Sequence, residues 1–366
     1  MDIIVSISQA LLYVCLSILL GTFVLNVVPG KFRPAFFVPP KWLMISSAAI
    51  PLLTFVPVLY IIFYISPRLG FMRAFEVVIT QYTIGNAWSF TFLLSSFLIF
   101  VMILAHRANK LSRVSINVLS IFLTLGVIVT IAWASHASAV NMTLGIISDS
   151  IHLVAVCVWV GVVLIVAWFS TNTENWANFL SWFSLVAISC LGATAISGFL
   201  LLDVLVVDYV DSWIVSYGQG LFIKHLFILP LLFYAAINGL FVKFKISKDS
   251  TYNPLRGVKV ESIILLSIFT LTALFTQSSP PHGSFVNEEA ISPLFNLFHD
   301  VTSSNINDLK FVSNGVAIAF VFSSMVLLVL NLFAYIKKAP VWLLYLFVVL
   351  LISCIYITFM LSVAIK

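Results

Sequence analysis

The chain has 366 residues, of which 62% are hydrophobic and 8% charged, with a mean hydropathy of +1.15 and a formal net charge of +5. So few charges cannot cover a water-soluble surface, which excludes a soluble enzyme or nucleic-acid-binding domain and leaves a polytopic membrane protein in contact with lipid.

Runs of about 20 apolar residues, each enough to cross a hydrocarbon core of ~30 Å, are predicted at 5–27, 43–65, 87–105, 114–134, 147–169, 179–202, 219–242, 260–277, 314–336 and 341–363. The fold class expected is therefore all-α, a membrane helix bundle of about ten spans. The first run follows Met1-Asp2 directly, lacks a basic start and is too long for a secretory signal, so a retained helix with no soluble domain before it is expected. No repeat, low-complexity tract or linker interrupts the chain, which reads as a single integral membrane domain, 1–366, with a large external loop at 278–313. Pro51, Pro57 and Pro230 fall inside spans, where kinks are expected. The small residues Gly192, Ala193, Thr194, Ala195, Ser197 and Gly198 mark the sixth span as the expected packing centre. Trp42, Trp88, Trp133, Trp213 and Trp342 lie near span ends, where indoles anchor at the headgroup level.

Lys and Arg alternate between loops, the property that correlates with the cytoplasmic side. One set of loops holds Lys31, Arg33, Lys41, Arg107, Lys110, Arg113, Lys243, Lys245, Lys248, Arg256, Lys259, Lys337 and Lys338. The opposite set holds only Arg68, Arg73, Lys310 and Lys366, along with the acidic Asp203, Asp208, Asp211, Glu288, Glu289, Asp300 and Asp308. Both termini are therefore expected outside, and the basic pI near 9.0 follows from the cytoplasmic loops and needs no nucleic-acid partner.

His152 is the anomaly, because it interrupts the apolar stretch Ile146 to Phe169, and an ionisable side chain in a bilayer costs at least a few kcal/mol unless partnered. On the expected topology only His106 lies on the cytoplasmic side. His136 ends the fourth span, His152 and His225 lie within the outer parts of the fifth and seventh, and His282 and His299 occupy the large external loop. Asp149 and His152 are three apart on a helix and share a face. A carboxylate so placed can accept the imidazole N–H and leave the other nitrogen for a metal. Imidazole suits copper, zinc, iron and nickel, and thioether ligands shift the preference toward Cu(I). Met142, expected in the loop between the two His-bearing spans, is the candidate thioether, and His225 the candidate third imidazole. An interfacial, hydrated His136 and a core His152 bonded to Asp149 are the alternatives. Lys224 either snorkels to the outer interface or pairs with Asp203, Asp208 or Asp211. Cys15, Cys157, Cys190 and Cys354 all fall in spans at spacings that match no zinc or redox motif, so no disulfide is expected.

Ser135-His136-Ala137, Asp149-Ser150-Ile151-His152-Leu153 and Trp159-Val160-Gly161 resemble a pattern of CopD-type copper transport proteins. The resemblance continues through Trp182-Phe183-Ser184 to Gly198, then Tyr217-Gly218-Gln219-Gly220-Leu221 to Lys224, then Ala235-Ala236-Ile237-Asn238. It covers residues 133–242 well, Ser8 to Gly21 more loosely, and residues 280–366 not at all. At position 182 the family's usual Arg is Trp. The resemblance implies copper ion transport, described in general as uptake, across the cytoplasmic membrane, with His136, His152, His225 and Met142 as metal ligands and Asp149, Trp159 and Lys224 in supporting positions. Some relatives carry a fused CopC domain; this chain shows none, so a separate extracytoplasmic CopC-like copper donor is expected.

Three functions stay open. The first is a copper transporter; the second is a membrane cytochrome with a b-type haem held by two histidines; the third is a copper-binding assembly factor that moves no ion. No P-loop or phosphorylated-Asp motif is visible, so any driving force is expected to be an ion gradient or the copper gradient itself; neither a nucleotide cofactor nor enzymatic activity is expected.

Overall fold

A computed structural model describes residues 2–107, 113–248, 252–280, 291–299 and 309–365. Among them are ten helices long and apolar enough to cross a membrane, and they coincide with the ten predicted runs. The protein is an all-α, multi-pass membrane helix bundle. Its helices fall into two compact units, Met1–Leu205 and Val206–Lys366.

The first unit comprises α1 (Asp2–Val27), α2 (Pro40–Leu69), α3 (Phe71–Gln81), α4 (Thr83–Arg107), α5 (Arg113–Trp133), α6 (His136–Val140), α7 (Met142–Phe169) and α8 (Trp176–Leu205). Pro40 opens α2 at its first position, where a missing N–H costs nothing. Gly70, at φ +77°, reverses the chain into α3, a backbone conformation that favours glycine. Sequence reading left α3 as loop. It is instead an amphipathic helix whose Ala74 and Val78 are buried on Val58 and Ile62 of α2. The indole of Trp88 donates to the Pro51 carbonyl at 2.9 Å and ties α4 to α2.

α7 is the centre of this unit, with 61% of its apolar stretch buried. Leu12, Leu16, Leu19, Leu20 and Phe23 of α1 form one core with Leu153 and Cys157 of α7, Ile50 of α2, Leu98 of α4 and Val127 and Ile128 of α5. Between apolar helices in lipid, close backbone approach replaces the hydrophobic drive to associate. Gly21 and Gly161 supply that approach: a Cβ on either would run into the backbone of the other's helix. The packing centre is therefore α1 on α7, which corrects the expectation for the sixth span. In α8 only 6% of the apolar stretch is buried, and a Cβ at Gly192 would meet open space. Gly192 and Ala195 are exposed, whereas Ser197 is buried and Gly198 lies beside His152, so the small residues of α8 do not form one packing face.

The second unit contains α9 (Ser216–Ala236), a π-helical turn (Ile237–Phe241), α10 (Val242–Lys248), α11 (Leu255–Phe275), α12 (Pro293–Asn296), β1 (Leu309–Phe311), α13 (Gly315–Ile336), α14 (Val341–Leu361) and β2 (Val363–Ile365). The two short strands pair antiparallel, with Lys310 opposite Ala364. Asn314 caps α13 by accepting from Val316 N at 2.8 Å. The expected external loop is partly built: Ser292 N donates to Ile214 O at 2.8 Å, just before α12. Trp213 is not an interfacial anchor. It is 3% exposed, stacks on Phe222 at 4.2 Å and meets Phe359 edge-on, so the indole is a core residue of this unit.

Candidate functional site

His152 lies on α7, half-buried, with Nδ1 3.2 Å from Ser197 Oγ of α8. The serine hydroxyl also lies 2.6 Å from the carbonyl of Ala193, one turn back on its own helix. A hydroxyl has one proton, and that proton goes to the carbonyl, so in the neutral ring Nδ1–H donates and Ser197 Oγ accepts. The contact orients the ring through Nδ1, and a ring held in this way can bind a metal through Nε2. Gly198 leaves space for the ring, since a Cβ there would stand 3.6 Å from His152 Cε1. Sequence reading named Asp149 as the partner that orients the ring and did not include Ser197, whose only signal was its place among the small residues of the sixth span.

Asp149, one turn before His152, lies close enough to the Tyr13 phenol of α1 to act on it electrostatically. That phenol donates to Gln9 Oε1 at 3.1 Å. Polar groups of α1, α7 and α8 therefore line this stretch of α7. Trp159 is buried two turns further along, near the close approach of α1 and α7.

Met142 is not in a loop. It is the first residue of α7 and 62% exposed. Ten residues of helix place it about 15 Å along the axis from His152, too far for the thioether and His152 to share one ion. His136 does not end the fourth span, which stops at Trp133. It opens the five-residue α6, where Ser135 Oγ accepts from Ser138 N, and it is exposed. The backbone of Ala137 presses on Gly145, which pins α6 against α7.

His225 belongs to the second unit. Its Nδ1 lies 2.7 Å from the Tyr209 hydroxyl, and the two rings are 5.4 Å apart. Burial pushes the Tyr209 phenol up to about 12, so it stays protonated. A phenol is a stronger donor than a neutral imidazole, so its proton goes to Nδ1 and the His225 ring carries its own proton on Nε2. The Lys224 ammonium lies 5.8 Å from the centroid of the Phe275 ring, a cation–π placement that sequence reading did not consider. Asp208 and Asp211 engage backbone: Asp208 Oδ1 accepts from Val210 N at 3.0 Å, and Asp211 Oδ1 from Leu309 N at 2.8 Å.

His299 Nε2 donates to the Met360 carbonyl at 3.0 Å, and its ring lies 4.5 Å from Phe295, so it is fastened to α14 rather than merely solvated. Burial lowers its pKa. His282 lies outside the described residues. All four cysteines are free thiols, and Cys190 lines a cavity of about 390 Å³ between α7 and α8 with Ser150, Ile151 and Ala193. Among the described residues no three His, Cys, Asp or Glu side chains group to hold a metal ion.

Comparison with known proteins bears on the same region. Residues 177–275 match the family model described as Copper resistance protein D. They include Ser197, Lys224 and His225 and overlap the later part of the 133–242 region that carries the sequence resemblance. The copper transport protein CutJ of Bacillus subtilis (strain 168) is 28% identical over 206 residues, 54% of this chain and 37% of that protein. The match thus spans a little over a third of the relative's length. No solved structure matches. Over residues 177–275 the chain is similar to the Copper resistance protein D family, and both matches support a CopD-type membrane protein.

Proposed function

We propose that this protein carries copper ions across the cytoplasmic membrane, in the direction of uptake, with His152 as a ligand on the path and copper as cargo. The observation that carries this reading is the Ser197 contact, which holds an intramembrane imidazole through Nδ1. The family match and a relative named as a copper transport protein favour copper over other metals that imidazole binds. The basic bias of alternate loops supports an orientation with both termini outside and His152 in the outward half of its span. In this reading the ion meets ligands one after another. His136, exposed on α6, serves entry, and His152 follows. His225, in the second unit, is a further candidate ligand. A separate extracytoplasmic CopC-like protein supplies the ion, and transport involves no enzymatic step.

Metal analysis and absorbance of the purified chain test this first. Bound copper without a Soret band, lost in His152→Ala, is the expected result. A Soret band would favour the cytochrome, and tight copper binding with no flux across a bilayer would favour the assembly factor.

A further inference from the structure

A second polar cluster lies at the Lys- and Arg-rich ends of α9 and α11, in the second unit and apart from every histidine described above. Glu261, the seventh residue of α11, is 4% exposed, and a carboxylate within an apolar span requires a partner. Asn238 Nδ2 donates to Glu261 Oε2 at 2.7 Å. Asn238 sits in the π-helical turn and is itself 5% exposed; such turns interrupt helices most often at functional positions.

The other end of that amide is the informative atom. Asn238 Oδ1 is buried and accepts no hydrogen bond. A buried carbonyl oxygen without a donor calls for a bound water or ion. Gly257 makes the space: a Cβ there would overlap Asn238 Oδ1 and stand 3.1 Å from the Tyr335 hydroxyl of α13. That hydroxyl lies 3.1 Å from the Tyr252 hydroxyl. The carboxylate and the amide carbonyl are oxygen donors, which suit a hard cation and not a soft one such as Cu(I). Arg256 and Lys259 on α11 and Lys243 and Lys245 on α10 surround this end with positive charge. One carboxylate amid those bases matches a single charge better than two. From α9, Tyr234 turns its hydroxyl to Asn331 Oδ1 at 2.7 Å.

We propose that Glu261 and Asn238 form a binding site for a small, oxygen-seeking monovalent cation, Na⁺ or the proton of hydronium, that moves with copper. The coupling role rests on the transport reading, whereas binding of the cation is read without copper, so the two can fail separately. Thermal unfolding of the full chain in detergent tests the site, in NaCl against choline chloride at constant ionic strength, and at acid and alkaline pH.

If the ion is Na⁺, Tm of the wild type rises with NaCl and saturates, and Glu261→Gln, nearly isosteric, abolishes the rise. If it is the proton, NaCl has no effect, Tm falls from acid to alkaline pH, and Glu261→Gln removes that fall. Asn238→Ala, which keeps the carboxylate but loses the carbonyl, weakens either response. A wild type that responds to neither NaCl nor pH overturns the site even if neither variant can be purified. So does a Glu261→Gln protein that responds as the wild type does.

Discussion

The Nδ1 atom of His152 lies 3.2 Å from Oγ of Ser197 on a neighbouring helix, and that contact orients the imidazole. Outer partners of this kind orient a ligand and are worth about 10–100-fold in metal affinity. Ser197→Ala is therefore expected to weaken copper binding by about that factor while leaving the helical circular dichroism spectrum unchanged. Competition titration against a copper chelator measures it, and an unchanged affinity would show that the hydroxyl does not set the ring.

The close approach of α1 and α7 gives a second expectation. A Cβ at Gly161 meets the Ser17 carbonyl and the Gly21 backbone, neither of which can swing away. Overpacking costs about 1–3 kcal/mol and sometimes more, so Gly161→Ala should lower Tm and the yield of folded protein. Gly192→Ala, where a Cβ meets nothing, should leave both unchanged. Equal behaviour of the two variants would contradict the packing described.

Tyr209 and His225 give a third. Tyr209→Phe removes the donor to Nδ1 and leaves a partly buried acceptor unpaired, at a cost of about 1–3 kcal/mol. The variant should unfold at lower temperature. If the phenol also holds His225 in its Nε2–H tautomer, nitrogen chemical shifts of that ring should move toward the other form.

His299 sets a pH dependence. Its folded pKa is lowered, first because of burial, so the unfolded chain binds the proton more tightly. The contribution is complete above the ordinary value near 6.5 and is lost as pH falls from there toward the lowered folded value. Hydrogen exchange at residues 295–299 should therefore accelerate below about pH 6, and His299→Gln should flatten that change.

Much of this was legible in the sequence because it is local. A run of about 20 apolar residues is a helix that can span whatever its neighbours are, and all ten runs are helices. His152 was visible for the same reason, as one ionisable residue in such a run. Ser197 was not, because its pairing joins residues 45 apart in the chain. Glu261 was hidden by position: it falls at the start of a hydropathy run beside Lys259, where a charge looks interfacial, and only the fold buries it. Trp213 shows the reverse, an indole at a span end that the chain folds over. Met142 was misplaced because the apolar run begins only at 147, whereas the helix starts earlier, where Asn141 Oδ1 caps α7 by accepting from Leu144 N at 3.1 Å.

Copper flux into proteoliposomes tests the central claim most directly, with the wild type, His152→Ala and Met142→Ala compared at equal reconstitution. Loss of flux in His152→Ala with flux retained in Met142→Ala is the expected result. Flux retained in His152→Ala would contradict the assignment of His152 to the copper path.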